Sequence, residues 1–295
     1  MDIKINDDNV IVTVLRFKFE HELIDLIKNL VTSLCSDIEI PTDIIGEFNI
    51  DPIKVGDGYF GRISCTSFDP LKISIIVKNT VIWDYFDDNK SRKEKELAKA
   101  IIIHELYHCK ENYITSLNTN LEDIVKHPPI TTTELLMFDI GHIQFSEYYA
   151  HRNSSSFSYD VKNDMQLIHN THDELLALQE CARNQQHDFS FNYEKIHTFI
   201  KYIVKYTAIF SCSHDEKFRV LLIILEEDYP LIYKYVNYIS ETLNIEYIDY
   251  PKDISKAKFS SIGRALLTIY QYYNLYFTDE NVQNTFNVNY IIKTE

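Results

Sequence analysis

The chain has 295 residues, is 45% hydrophobic, and carries a formal net charge of −15 with only 6 glycines and 7 prolines. Such a chain can bury a substantial core, so general disorder is excluded; the acidic balance, with no face-forming run of Lys and Arg, excludes nonspecific attraction to nucleic-acid phosphates. Residues 1–8 carry charges where a signal peptide needs an apolar core, and no apolar run approaches the roughly 20 residues of a bilayer span, so a cytoplasmic, non-membrane protein is expected.

In chain order, residues 1–90 mix a helical stretch at 20–34 with four β-like runs: NVIVTVLRF (9–17), YFGRISCTSF (59–68), LKISIIV (71–77) and TVIWDYF (80–86). The last two, separated by Lys78 and Asn79, read as paired or successive strands. Ser91 and Glu94 then form a capping box that opens a helix. Along it Leu97, Ile101, His104 and His108 follow at spacings of four, three and four, which predicts a stripe facing the interior. Pro128 and Pro129 mark a connector, and Thr131 to Glu134 signal a second helix running through ELLMFDIGHIQFSEYYAHR. After residue 160 the period is helical almost throughout, with helices expected near 161–184, 193–211, 214–227, 230–243 and 259–277; a third capping box lies at 213–216. Of the 21 tyrosines, Tyr202 and Tyr206 share one helix face and Tyr270, Tyr273 and Tyr276 another, where core packing explains them. Five cysteines, at 35, 65, 109, 181 and 212, form no CxxC pair and predict reduced, mostly buried thiols.

The chemistry concentrates in IIIHELYHCKENY, residues 101–113. Residues four apart on a helix share a face, so His104 and His108 can aim imidazole nitrogens at one metal ion. Glu105 stands beside them, where a carboxylate can take a proton from water at the metal and deliver it to a leaving amine. A metzincin continuation fails, because Glu111 and Ile114 occupy the positions that would need Gly and His. A glutamate on the later helix is the alternative third ligand. Glu147 is followed three residues on by Ala150, a small residue that permits close packing of the two helices, while His151 and His142 on the same helix are the other candidates. An oxyanion needs a donor besides the metal, and Tyr149 and Arg152 are the residues nominated near Glu147.

Strand-like runs, Asn79, HELYH and an ExxA helix together resemble the gluzincin-type zinc metallopeptidases, most of all the ImmA/IrrE-like group. The resemblance spans roughly residues 70–155 and departs at Tyr107, where the group often has glycine. It implies Zn2+ held by His104, His108 and Glu147, Glu105 as catalytic base, and hydrolysis of peptide bonds in a protein or peptide substrate, the group commonly cleaving regulatory proteins such as repressors. The fold expected is α+β: a small mixed sheet packed on a zincin-like active-site helix pair, as the resemblance implies, in a domain at 1–160, then an all-helical domain at 161–295 that rests on its helical period alone. The competing reading is a noncatalytic protein-binding module whose zinc site is structural or vestigial.

Overall fold

A computed structural model describes residues 1–6, 20–54, 60–117, 132–154, 161–183, 189–212, 216–252, 255–273, 275–278 and 289–292. The expected strand at 9–17, the Pro128-Pro129 connector and most of the capping box at 213–216 lie outside them. The chain divides into two compact units, Met1–Asn118 with Asn153–Tyr159, and Thr119–Arg152 with Asp160–Glu295. The helix bearing Glu147 is thereby grouped, up to Arg152, with the later helices, whereas the sequence boundary at 160 placed it with the sheet.

The first unit is built on a four-stranded mixed sheet. Its strands are β1 (Asp2–Ile5), β2 (Ile45–Asp51), β3 (Gly61–Phe68) and β4 (Leu71–Lys78), in spatial order β1-β2-β4-β3. β1, β2 and β4 run parallel and β3 is antiparallel to β4. Helix α1 (Glu20–Asp37) lies in the chain between β1 and β2, the crossover that a parallel pair requires. The burial patterns follow from these places. β4 is central and reads LKISIIVK, a nearly continuous apolar run, while β3 at the edge alternates half-buried and exposed residues along its length. Leu23, Ile27, Val31, Phe48, Ile75, Val77, Ile102 and Leu106 belong to one core beneath the sheet. Between β2 and β4, Asn49 is buried but satisfied, its amide donating to Ser74 Oγ at 2.9 Å.

Residues 80–86, expected as a strand, lie in helix α2 (Asn79–Phe86). The β-branched and aromatic composition favours a strand, but Asn79 and Ile82 are buried three apart, with Phe86 also packed on the core. That is a helical face, and packing on the next helix overrides the local preference. That next helix, α3 (Arg92–Leu117), starts at the predicted capping box: Glu94 N–H donates to Ser91 Oγ at 3.3 Å and Ser91 N–H to Glu94 Oε2 at 2.8 Å. The Ser91 backbone and hydroxyl, with Lys90, hold the Glu94 carboxyl down to about 2, so this cap persists until pH falls through that value.

The interior stripe of α3 is displaced from the expected one. Ala98, Ile102, Leu106 and Cys109 make the core face, whereas Leu97 is 37% exposed and His104 half-buried. At 100° per residue the histidine stripe sits roughly a third of a turn from the centre of the core face. The histidines therefore border the core instead of extending it.

In the second unit, α4 (Thr132–Ser154) carries Glu147 and is followed by α5 (Val161–Arg183), α6 (Phe189–Cys212), α7 (Glu216–Asp228), α8 (Pro230–Tyr247) and α9 (Lys256–Tyr272). The expectation of an all-helical region is corrected at its end. The helix predicted to reach 277 stops at Tyr272, and β5 (Leu275–Thr278) pairs antiparallel with β6 (Asn289–Ile292). Aromatic spacing in YYNLYF imitates helix, but residues 275–278 are held as a strand by their pairing with 289–292. The buried faces of α6, α8 and α9 include Phe199, Tyr206, Tyr235 and Tyr270, the packing role expected of the tyrosines. Among the described residues no helix is long and apolar enough to cross a membrane. Cys35, Cys65, Cys109 and Cys212 are free thiols.

Candidate functional site

The two histidines of α3 converge. Their Nε2 atoms lie 3.2 Å apart, with the rings edge to face. His108 is buried, and its other ring nitrogen, Nδ1, lies 3.5 Å from Glu111 Oε2 one turn further along the helix. Glu105 is also buried, on the side of the helix between His108 and the core face. Cys109 faces the core, where burial and then the charge of Glu105 push its thiol well above the ordinary range; it is a neutral packing residue.

Glu105 is covered by the edge strand. A Cβ placed on Gly61, the first residue of β3, would come within 2.6 Å of Glu105 Oε1 and 2.7 Å of its Cγ. Gly61 is thus required for space, and no left-handed backbone angle is involved. Gly61→Ala is expected to lower stability, because the added Cβ would meet Cγ as well as Oε1 of a buried side chain and Glu105 would have to shift as a whole. Thermal melting of the variant checks this; a melting temperature equal to that of wild type would show that Glu105 has room to move aside.

The pairing of β3 also fixes what its outer edge offers. Lys78 N–H donates to Phe60 C=O at 2.8 Å, in register with the Gly61–Val77 pair. Antiparallel pairs alternate, so Arg62 and Ser64 bond towards β4, while the N–H and C=O groups of Gly61 and Ile63 point away from it. Among the described residues no further strand pairs with those outward groups.

On α4, Glu147 and His151 share a face one turn apart, with Glu147 Oε2 3.8 Å from His151 Nε2. The end of this helix is fastened to α8 by Arg152, whose guanidinium donates to Tyr148 Oη at 2.7 Å and to Asn244 Oδ1, and lies 3.9 Å above the Tyr247 ring. Tyr148 Oη in turn donates to Asn244 Oδ1 at 2.9 Å. Tyr149 is buried, its ring against Tyr247 and Tyr250. Of the other α4 histidine, the ring of His142 packs on Phe138 and Phe259. Glu147 and His151 are both half-buried, so this face of α4 offers one carboxylate oxygen and one imidazole nitrogen as ligand atoms.

No protein-family model, curated protein or solved structure matches this chain.

The site is therefore read from its own chemistry. The shared faces of His104 with His108 and of Glu147 with His151 follow from spacings of four in the sequence. The places of Gly61 and Glu111 do not. Gly61 is one of six glycines and carries no side-chain chemistry to notice, whereas Glu111 stands three after His108, the spacing that brings two side chains together on a helix.

Proposed function

We propose that the chain is a zinc-dependent endopeptidase of gluzincin type, with His104 and His108 as metal ligands, Glu147 as the third and His151 as the alternative third donor. One observation carries the reading: the 3.2 Å between the two Nε2 atoms. Two imidazole nitrogens bound tetrahedrally at about 2.0–2.1 Å from one zinc lie roughly 3.3–3.4 Å apart, so the pair fits the ion.

When bound, zinc supplies a Lewis acid that polarises a carbonyl and acidifies water. The remaining work belongs to the chain. Glu105 accepts a proton from the attacking water at its carboxylate and returns it to the departing amine. The outward backbone groups of Gly61 and Ile63 receive an extended peptide beside Glu105, which supports an unfolded or flexible protein segment as substrate. Tyr149 and Arg152 are retained as donors for the developing oxyanion, Arg152 having further N–H groups beyond those it gives to Tyr148 and Asn244.

Purified protein is expected to contain about one equivalent of zinc by elemental analysis. Expression of the active chain should create protein N-termini that are missing when Glu105→Gln is expressed instead. Zinc without new termini would favour a noncatalytic binding module, and the absence of zinc would remove the metal reading itself.

A further inference from the structure

We infer that Glu111 is a positioning residue for His108, fixing the ring so that Nε2 alone faces the metal; this rests on the zinc reading above. The argument is one of ring geometry. An imidazole has two nitrogens at opposite sides of the ring, and His108 Nε2 is directed towards His104. Nδ1 therefore turns away from the pair, and there it meets the Glu111 carboxylate at 3.5 Å. Both side chains are enclosed, at 11% and 6% exposure, so this carboxylate is one that water does not hold in place. A neutral imidazole coordinating through Nε2 has a hydrogen on Nδ1 to donate, and the Glu111 carboxylate at 3.5 Å stands at the outer limit of accepting it. An acceptor on that side favours one tautomer and one plane of the ring.

The neighbouring residue does not compete for that nitrogen. Asn112 donates its amide to the His108 backbone carbonyl at 2.9 Å and leaves the ring alone. Because Glu111 and His108 sit one turn apart on one helix, the arrangement is local to α3 and needs no other element to form. A residue standing where a metzincin has glycine thus acquires a role of its own.

The test is zinc affinity, measured by competition with a chromophoric chelator on the purified full-length chain, with melting of the zinc-free forms recorded alongside. Glu111→Ala is expected to weaken zinc towards 100-fold, and Glu111→Gln, whose amide oxygen still accepts from Nδ1–H, by about 10-fold. If Glu111→Ala does not fold, the nearly isosteric Gln variant decides the matter. Zinc affinity within twofold of wild type in a folded variant overturns the inference, whatever happens to the melting temperature, because a residue serving only the fold moves melting and not affinity. Wild type that binds zinc and loses it in His108→Ala, with Glu111 variants unaffected, overturns the role of Glu111 alone. Folded wild type that binds no zinc overturns this inference and the peptidase reading together.

Discussion

On the proposed peptidase reading, Glu105→Gln is expected to reduce turnover by about 100- to 10,000-fold while leaving zinc content unchanged. The two readouts separate because that reading gives the carboxylate and the imidazoles different tasks. His104 and His108 direct their Nε2 atoms at one another across 3.2 Å, and replacing Glu105 removes neither ring. An amide of the same shape still fills the space against Gly61, so the close approach of β3 survives and a fall in activity cannot be blamed on collapse of the edge strand. What the amide lacks is a basic oxygen able to hold the proton of water. Turnover of the substrate revealed by terminal profiling, with zinc measured on the same preparation, is the check; full turnover with zinc bound would exclude Glu105 as the base. Loss of both zinc and turnover would point to a ligand role instead.

Gly263→Ala and Gly141→Ala are each expected to destabilise the second unit by more than about 2 kcal/mol, lowering its melting temperature by roughly 5–10 °C. A Cβ at Gly141 would overlap the carbonyl oxygen of Phe259 and stand 2.9 Å from the Gly263 nitrogen, and one at Gly263 would overlap the carbonyl oxygen of Met137. These are backbone atoms of facing helices, which no rotamer change can move aside. Alanine is favoured over glycine within a helix by about 1 kcal/mol, so a net gain would be the outcome if the helices were free to part. The crossing opposes it: Phe138, His142 and Phe145 on α4 meet the Phe259 ring on α9 around the same point. Calorimetry of both single variants and the double variant gives a second expectation. One overlap already forces the helices apart, so the two costs should add to much less than their sum. Additive losses, or a variant more stable than wild type, would disprove the crossing.

How much of this was legible beforehand depended on whether a local pattern or a distant partner set the outcome. The Ser91–Glu94 cap, the start of α3 and the sharing of a face by His104 and His108 are properties of a few consecutive residues, and they appear as read. The helix at 79–86 is different. Its composition favours strand, and only the neighbouring helix, supplied by tertiary packing, makes Asn79 and Ile82 one buried face. β2, with its sequence IGEFNID, was missed because its stability comes from lying between β1 and β4, which an isolated stretch with a glycine and two acids does not announce. The stripe along α3 was misplaced by a third of a turn for a related reason. Small residues such as Ala98 can face the densest packing, and a scan for large apolar side chains passes over them. Gly61 belongs to the same class, since the role of a missing side chain is visible only once its neighbour is known.

The outer edge of β3, which pairs with no strand among the described residues, has a consequence for what the chain must avoid. Backbone groups on such an edge can pair with any extended chain, another copy of itself included, and Phe60 and Phe68 stand exposed at its two ends. The irregularity in register between Cys65 and Ser67 interrupts the regular run after five residues, Gly61 to Cys65, and Arg62 adds an exposed charge within it. A run that short gives too little ladder for strands to stack into a persistent aggregate. The bulge thus acts as a length limit, keeping an edge strand from becoming a polymerisation edge.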